Sequence, residues 1–155
     1  MLPTTSDLTT TARISLREDR FGETAFSVSP HRLLLAEDDG PFRFLLVSAL
    51  RKDGYKIVAV SNGVDLMDIL GDSLSPDGTL APFDLVLSDL HMPGWPGLEA
   101  LAAVGRNPGM PPFILFTAFG DEDTHQRAIE IGALTLLDKP FDIDYLREIV
   151  AQVLC

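Results

Sequence analysis

Four polar marks in this sequence each follow a short apolar run. Glu37-Asp38-Asp39 follows Leu33-Leu34-Leu35-Ala36, and Asp89 follows Leu85-Val86-Leu87-Ser88. Thr117 follows Phe113-Ile114-Leu115-Phe116, and Lys139-Pro140 closes the run from Leu134 to Leu137. Brought together, these residues would offer several carboxylates, a hydroxyl and an ammonium. Crowded carboxylates repel unless protons or a cation neutralise them. An all-oxygen ligand set selects a hard cation, most commonly Mg2+, bound by a few carboxylates together with phosphate and water. Asp89 is the candidate nucleophile, because a carboxylate can attack a phosphoryl group and form an acyl phosphate. Lys139 would neutralise a phosphoryl oxygen and the Thr117 hydroxyl would donate to another. Each residue alone has a plainer reading: Asp39 as a helix N-terminal charge, Asp89 as a strand-end turn residue, Thr117 as a strand former, Lys139 as a solvated lysine. Their joint occurrence at successive run ends favours the site.

A parallel sheet would converge these positions, since its carboxyl edge is where ligands bind. The pattern from His31 onward predicts one. Strands are expected at Leu33–Ala36, Lys56–Val60, Phe83–Ser88, Phe113–Phe116 and Leu134–Leu137, apolar without alternation and therefore buried on both faces. Helices are expected between and after them. The first opens at Gly40-Pro41 and carries Phe42, Leu45, Leu46, Ala49 and Leu50 on one face, with Gly54 past its end. A short one, capped by Asn62, runs to Leu70, with residues 71–82 as a loop. Others span Leu98 to Val104, Asp121 to about Ile131, and a last helix capped by Asp142. Strict alternation of five strands and five helices predicts a doubly wound α/β domain with right-handed crossovers.

At 155 residues, 46% hydrophobic and 23% charged, the chain is ordinary globular material sized for one domain. Residues 1–30 are rich in Thr, Ser and charge and read as a mostly disordered extension ahead of a folded unit over 31–155. Within it, Ile14 and Leu16, then Phe26 and Val28, alternate with polar residues, which suits a weak hairpin or a strand docking on a partner. A net charge of −11 argues against nucleic acid and anionic membrane as partners. The single cysteine, Cys155, excludes an intrachain disulfide and a cysteine metal site. With no signal-peptide pattern and no spanning apolar run, a cytoplasmic location is expected.

The sequence resembles the receiver domains of two-component response regulators. The matching segments are Leu33 to Asp39, Asp89-Leu90-His91-Met92-Pro93 with Gly97, Phe116-Thr117-Ala118, and Gly132-Ala133 followed by Asp138-Lys139-Pro140-Phe141. The resemblance implies a flavodoxin-like five-stranded parallel sheet of order 2-1-3-4-5. It implies that Asp89 is the phosphoacceptor, taking its phosphoryl group from a sensor histidine kinase or histidine phosphotransfer protein. Asp38 would bind Mg2+ directly, Glu37 mainly through water, and Asp89 and the backbone carbonyl of His91 would complete the protein ligands. Thr117 and Lys139 would contact the phosphoryl group and carry the switch, and the Lys139-Pro140 bond would be cis. Such a protein catalyses only its own phosphorylation and dephosphorylation. It would be a monomer or a phosphorylation-dependent dimer.

Three positions depart from the usual pattern. Leu136 stands where the family often has an aromatic residue that moves with the Thr. His91 and Phe119 follow the acceptor and the Thr by two residues each and should border the phosphoryl group, with Phe119 the larger shield against water. The chain ends one helix past Lys139, so a single-domain regulator is expected, its output an unidentified protein contact or onward phosphotransfer. The alternatives are a metal-dependent aspartyl-phosphate phosphohydrolase, which would need an Asp where His91 stands, and a degenerate receiver acting as a scaffold.

Overall fold

The computed structural model describes residues 13–18 and 24–155. Two strands, β1 (Arg13–Glu18) and β2 (Thr24–Ser29), pair antiparallel, with Ile14 opposite Val28 and Leu16 opposite Phe26. The alternating apolar positions noted in the extension are thus paired positions of one ribbon. The disorder expected for the rest of the extension falls on residues 1–12 and 19–23, outside the described residues.

From Arg32 the chain alternates strand and helix: β3 (Arg32–Ala36), α1 (Gly40–Lys52), β4 (Lys56–Val60), α2 (Gly63–Leu74), β5 (Leu85–Asp89), α3 (Gly97–Val104), β6 (Phe113–Thr117), α4 (Glu122–Glu130), β7 (Thr135–Asp138) and α5 (Ile143–Leu154). β3 to β7 form one parallel sheet in the order β4-β3-β5-β6-β7, the expected 2-1-3-4-5 winding. Side chains alternate across the sheet, and both faces are buried. Leu34, Val86, Leu115 and Leu136 join Leu66 and Leu70 of α2, Leu101 of α3 and Ala128 of α4. Leu33, Leu35, Leu87, Ile114 and Phe116 join Leu46 and Leu50 of α1 and Leu146, Val150 and Leu154 of α5. This two-sided burial is why β3, β5 and β6 read as unbroken apolar runs, whereas the edge strand β4, expected to be buried on both faces, exposes Lys56 and Ala59.

The helix ends follow local chemistry. Asp39, Asn62, Asp121 and Asp142 each accept a backbone N–H of the helix they open. Gly54, just after α1, has φ 96°, a left-handed conformation that glycine adopts without a Cβ clash.

Several details differ from expectation, beginning with β5, which starts at Leu85 rather than Phe83. α2 continues to Leu74, because Leu74 still packs on the core and Asp72 ties the following turn by accepting from the N–H groups of Thr79 and Leu80. β7 begins at Thr135, and Leu134 is left half exposed. Leu45 is 52% exposed, off the inner face of α1, while Val47 packs there instead. The inner face centres on Leu46 and Leu50, and a residue one step before Leu46 is rotated about 100° away from it. Among the described residues no helix is long and apolar enough to cross a membrane.

Candidate functional site at the carboxyl edge of the sheet

Register places the polar marks side by side. Ala36 lies opposite Ser88, Asp89 opposite Phe116, and Thr117 opposite Asp138. The residues that follow or end these strands therefore share one edge of the sheet. Glu37 is fully buried and Asp89 only 3% exposed, while Asp38 is open to solvent. One ligand oxygen from each of Glu37, Asp38 and Asp89 lies within 4.8 Å of the others.

Lys139 organises this cluster. Its Nζ donates to Glu37 Oε1 and to Asp89 Oδ2, each at 2.5 Å. Its backbone N–H donates to the Thr117 carbonyl at 2.8 Å, and the Lys139-Pro140 bond is cis, as the resemblance implies. Aromatic rings support it from one side. Nζ sits 5.1 Å from the centre of the Phe42 ring, and Phe42 packs on Phe141, which packs on Phe116. The second Asp89 oxygen, Oδ1, accepts the His91 N–H at 2.8 Å. Glu37 is fixed by its own backbone: its N–H donates to Val60 and its carbonyl accepts from Arg43 Nη1 at 2.7 Å.

The electrostatics follow from burial and partners. Burial pushes the Glu37 carboxyl up, Lys139 pulls it down, and the neighbouring Asp89 pushes it up again, leaving it at about 7. Burial also works against the Asp89 charge, but the hydrogen bonds from Lys139 and the His91 N–H outweigh it and hold Asp89 below the usual carboxylate range. Burial lowers Lys139, yet its two carboxylate partners raise it above its ordinary value. The site thus holds one ionised carboxylate, one carboxyl ready to keep a proton, and a fixed ammonium. An oxygen-only set from Glu37, Asp38 and Asp89, partly open through Asp38, fits a hard divalent cation.

Thr117 is fully buried, and its hydroxyl is engaged away from Asp89. Oγ1 is hydrogen-bonded to His91 Nε2 at 2.7 Å and accepts the Phe119 N–H at 3.1 Å. His91 stands edge-on to the Phe119 ring at 5.3 Å, and Phe119 is 73% exposed. The expected order of the two rings is therefore reversed: His91 touches the site, and Phe119 leans on His91 from outside. The side-chain contact between His91 and Thr117 went unseen in the sequence, as did the Arg43 and Phe42–Phe141 supports. Their only signal there was proximity to marked positions. Trp95, in the loop after Asp89, lies so close over Gly63 that a Cβ at that position would come within 2.1 Å of the indole.

Comparisons with known proteins agree with this geometry. The model of the response regulator receiver domain matches residues 33–151. Sporulation initiation phosphotransferase F of Bacillus subtilis is 35% identical over 79% of the chain and 93% of its own length. A probable chemotaxis protein CheY of Rhizobium etli is 35% identical over 79% of the chain and 91% of its own. Among solved structures, response regulator TrrA of Thermotoga maritima, in complex with Mg2+ and BeF, superposes with a TM-score of 0.66 at 27% identity, over 80% of this chain and 99% of that one. The chemotaxis response regulator CheY4 of Vibrio cholerae shares the fold with a TM-score of 0.69 at 23% identity, over 81% of this chain and all of that one. A five-stranded sheet wound 2-1-3-4-5, an acidic cluster at its carboxyl edge, and a family match spanning the folded region together place this chain in the response regulator receiver domain family.

Proposed function

We propose that Asp89 is the residue phosphorylated in this chain and that the protein is a single-domain response regulator. Receiver domains are phosphoacceptors rather than classical enzymes. The observation that carries the assignment is the Lys139 ammonium bridging the buried Asp89 and Glu37 carboxylates. It holds the Asp89 carboxyl below the usual range against the opposing effect of burial, so a nucleophilic carboxylate is ready at the sheet edge.

In the proposed reaction a carboxylate oxygen of Asp89 forms a bond to phosphorus as the phosphorus–nitrogen bond of a phosphohistidine breaks. The bonding pair leaves with the donor imidazole. The donor is a sensor histidine kinase or a histidine phosphotransfer protein. Lys139 then has a phosphoryl oxygen to neutralise, and Thr117 has one to donate to. Glu37, Asp38, Asp89 and the His91 backbone carbonyl would hold a Mg2+ ion, which when bound supplies positive charge against the phosphoryl oxygens.

The single-domain reading is supported by the two relatives matched along nine-tenths or more of their own length. Residues 1–30 are then an extension and 31–155 the receiver. The reading places the protein in the cytoplasm, as a monomer or phosphorylation-dependent dimer, with an unidentified output protein and neither nucleic acid nor membrane as partner. Incubation with acetyl phosphate and Mg2+ tests it by intact mass. One added phosphoryl group is expected, lost on adding EDTA beforehand and absent in Asp89→Asn. Full labelling of Asp89→Asn would overturn it.

A further inference from the structure

Thr117 has a single proton to donate, and its hydroxyl oxygen already has two close polar neighbours. Phe119 N–H fills one lone pair at 3.1 Å, and His91 Nε2 lies 2.7 Å away on the other side. Asp89 is held by Lys139 and by the His91 N–H, and no hydrogen bond links it to Thr117 among the described residues. With Nε2 unprotonated the ring accepts the one Thr117 proton, and the hydroxyl then has to leave His91 before it can serve a phosphoryl oxygen. Leu136, at the position where an aromatic ring often follows this movement, is buried in the apolar core with Leu115 and Ala128 and has no polar atom to respond with. The ring that does touch the Thr117 hydroxyl is His91, and it contacts the exposed Phe119 ring at 5.3 Å and 78°.

We propose that His91 is the positioning residue of the switch: its imidazole Nε2 accepts the Thr117 hydroxyl proton and holds it away from Asp89, and release of that bond on phosphorylation frees the His91–Phe119 ring pair at the surface. The proposal rests on Asp89 being the phosphoacceptor. It assigns the neutral ring with its proton on Nδ1. The signal emerges at Phe119, on the β6–α4 connection, rather than through the core position Leu136. The His91 ring acts through Thr117 and does not itself take part in transfer.

The test uses the full chain with Mg2+ and beryllofluoride as the phosphoryl mimic. The imidazole nitrogens of the three histidines are read by long-range 15N correlation at pH 8, with His91→Gln giving the assignment. His91 is expected as the Nδ1–H tautomer without the mimic, and its signals should move more than those of His31 when the mimic binds. In calorimetry at saturating Mg2+, His91→Phe keeps a ring against Phe119 but has no nitrogen. It should bind beryllofluoride about three- to tenfold more tightly than wild type, the scale of one neutral hydrogen bond. His91→Gln, whose amide reaches the place of Nε2, should stay within about twofold. Unchanged or weaker binding in His91→Phe, or a proton on His91 Nε2 in the free protein, would overturn the tether. Absence of beryllofluoride binding to the wild-type chain, or its survival in Asp89→Asn, would instead overturn the phosphoacceptor reading beneath it.

Discussion

Replacing Glu37 by Gln should stabilise the metal-free protein at pH 8 and remove a pH dependence the wild type shows. Glu37 is fully buried, and its folded-state carboxyl sits at about 7 against its ordinary 4.5. A raised acid binds more protons in the folded state than in the unfolded one between those two values, so stability falls as pH rises through the window. At about 1.4 kcal/mol per pH unit, the loss amounts to about 3 kcal/mol by pH 8. The neighbours do not mask it. The depressed Asp89 contributes stability that is lost only as pH falls below the usual Asp range, and the raised Lys139 contributes stability that is lost only at alkaline pH. Gln carries no charge to desolvate. Its amide cannot accept from both Lys139 Nζ and the Asp39 N–H as the carboxylate does, which costs about 1 kcal/mol. The variant should therefore be about 2 kcal/mol more stable than wild type at pH 8 and no more stable at pH 5. Urea unfolding in EDTA at intervals between pH 5 and pH 8, analysed by linear extrapolation, measures the difference. A difference that stays constant across this range would mean that Glu37 does not titrate within it in the folded protein.

Further outcomes follow from other parts of the molecule. Trp95 is the only tryptophan and lines one pocket with His91 in the loop after Asp89, so Mg2+ should change its fluorescence saturably; an unchanged spectrum with Mg2+ binding shown by calorimetry would place the indole outside the site's influence. Amide exchange with and without beryllofluoride should differ most across residues 118–145, since Thr117 and Lys139 sit at the roots of α4, β7 and α5, and a change confined to residues 40–70 would contradict this. Leu87→Ala, at a fully buried position in the central strand, should cost about 2–5 kcal/mol in urea unfolding. Arg147→Ala, which breaks the exposed pairs with Asp53 and Asp144, should leave the urea midpoint nearly unchanged, since solvent screens both pairs.

The sheet and its functional edge could be read from the chain because both rest on backbone periodicity. Unbroken runs such as Leu33–Ala36 announce strands buried on two faces, and the polar residue closing each run lands on one edge whatever its rotamer. Caps such as Asn62 and Asp142 were legible for the same reason, since they act on the N–H groups of their own first turn. What failed depended on where side chains point. Leu45 lies next to the inner face of α1 in sequence yet faces water, because one residue's rotation along a helix moves a side chain off the buried stripe. Leu70 and Gly71 gave no hint that α2 would run another turn, because Leu74 and the Asp72 turn secure it from a distance. Spacing puts His91 near the site but leaves its ring free to turn outward. Only the fold, which sets the end of β5 beside the end of β6, brings that ring onto the Thr117 hydroxyl.

A phosphoryl group on Asp89 would leave a covalent trace that reduction reveals. After incubation with acetyl phosphate and Mg2+, borohydride reduces an aspartyl acyl phosphate to homoserine with loss of phosphate, and peptide mass mapping then reports which residue was modified. Homoserine at position 89 alone, in proportion to the added phosphoryl mass, is the predicted result. Conversion at Asp38 or at any other acidic residue in place of Asp89, or a phosphoryl mass that leaves no reduced residue at all, would contradict it.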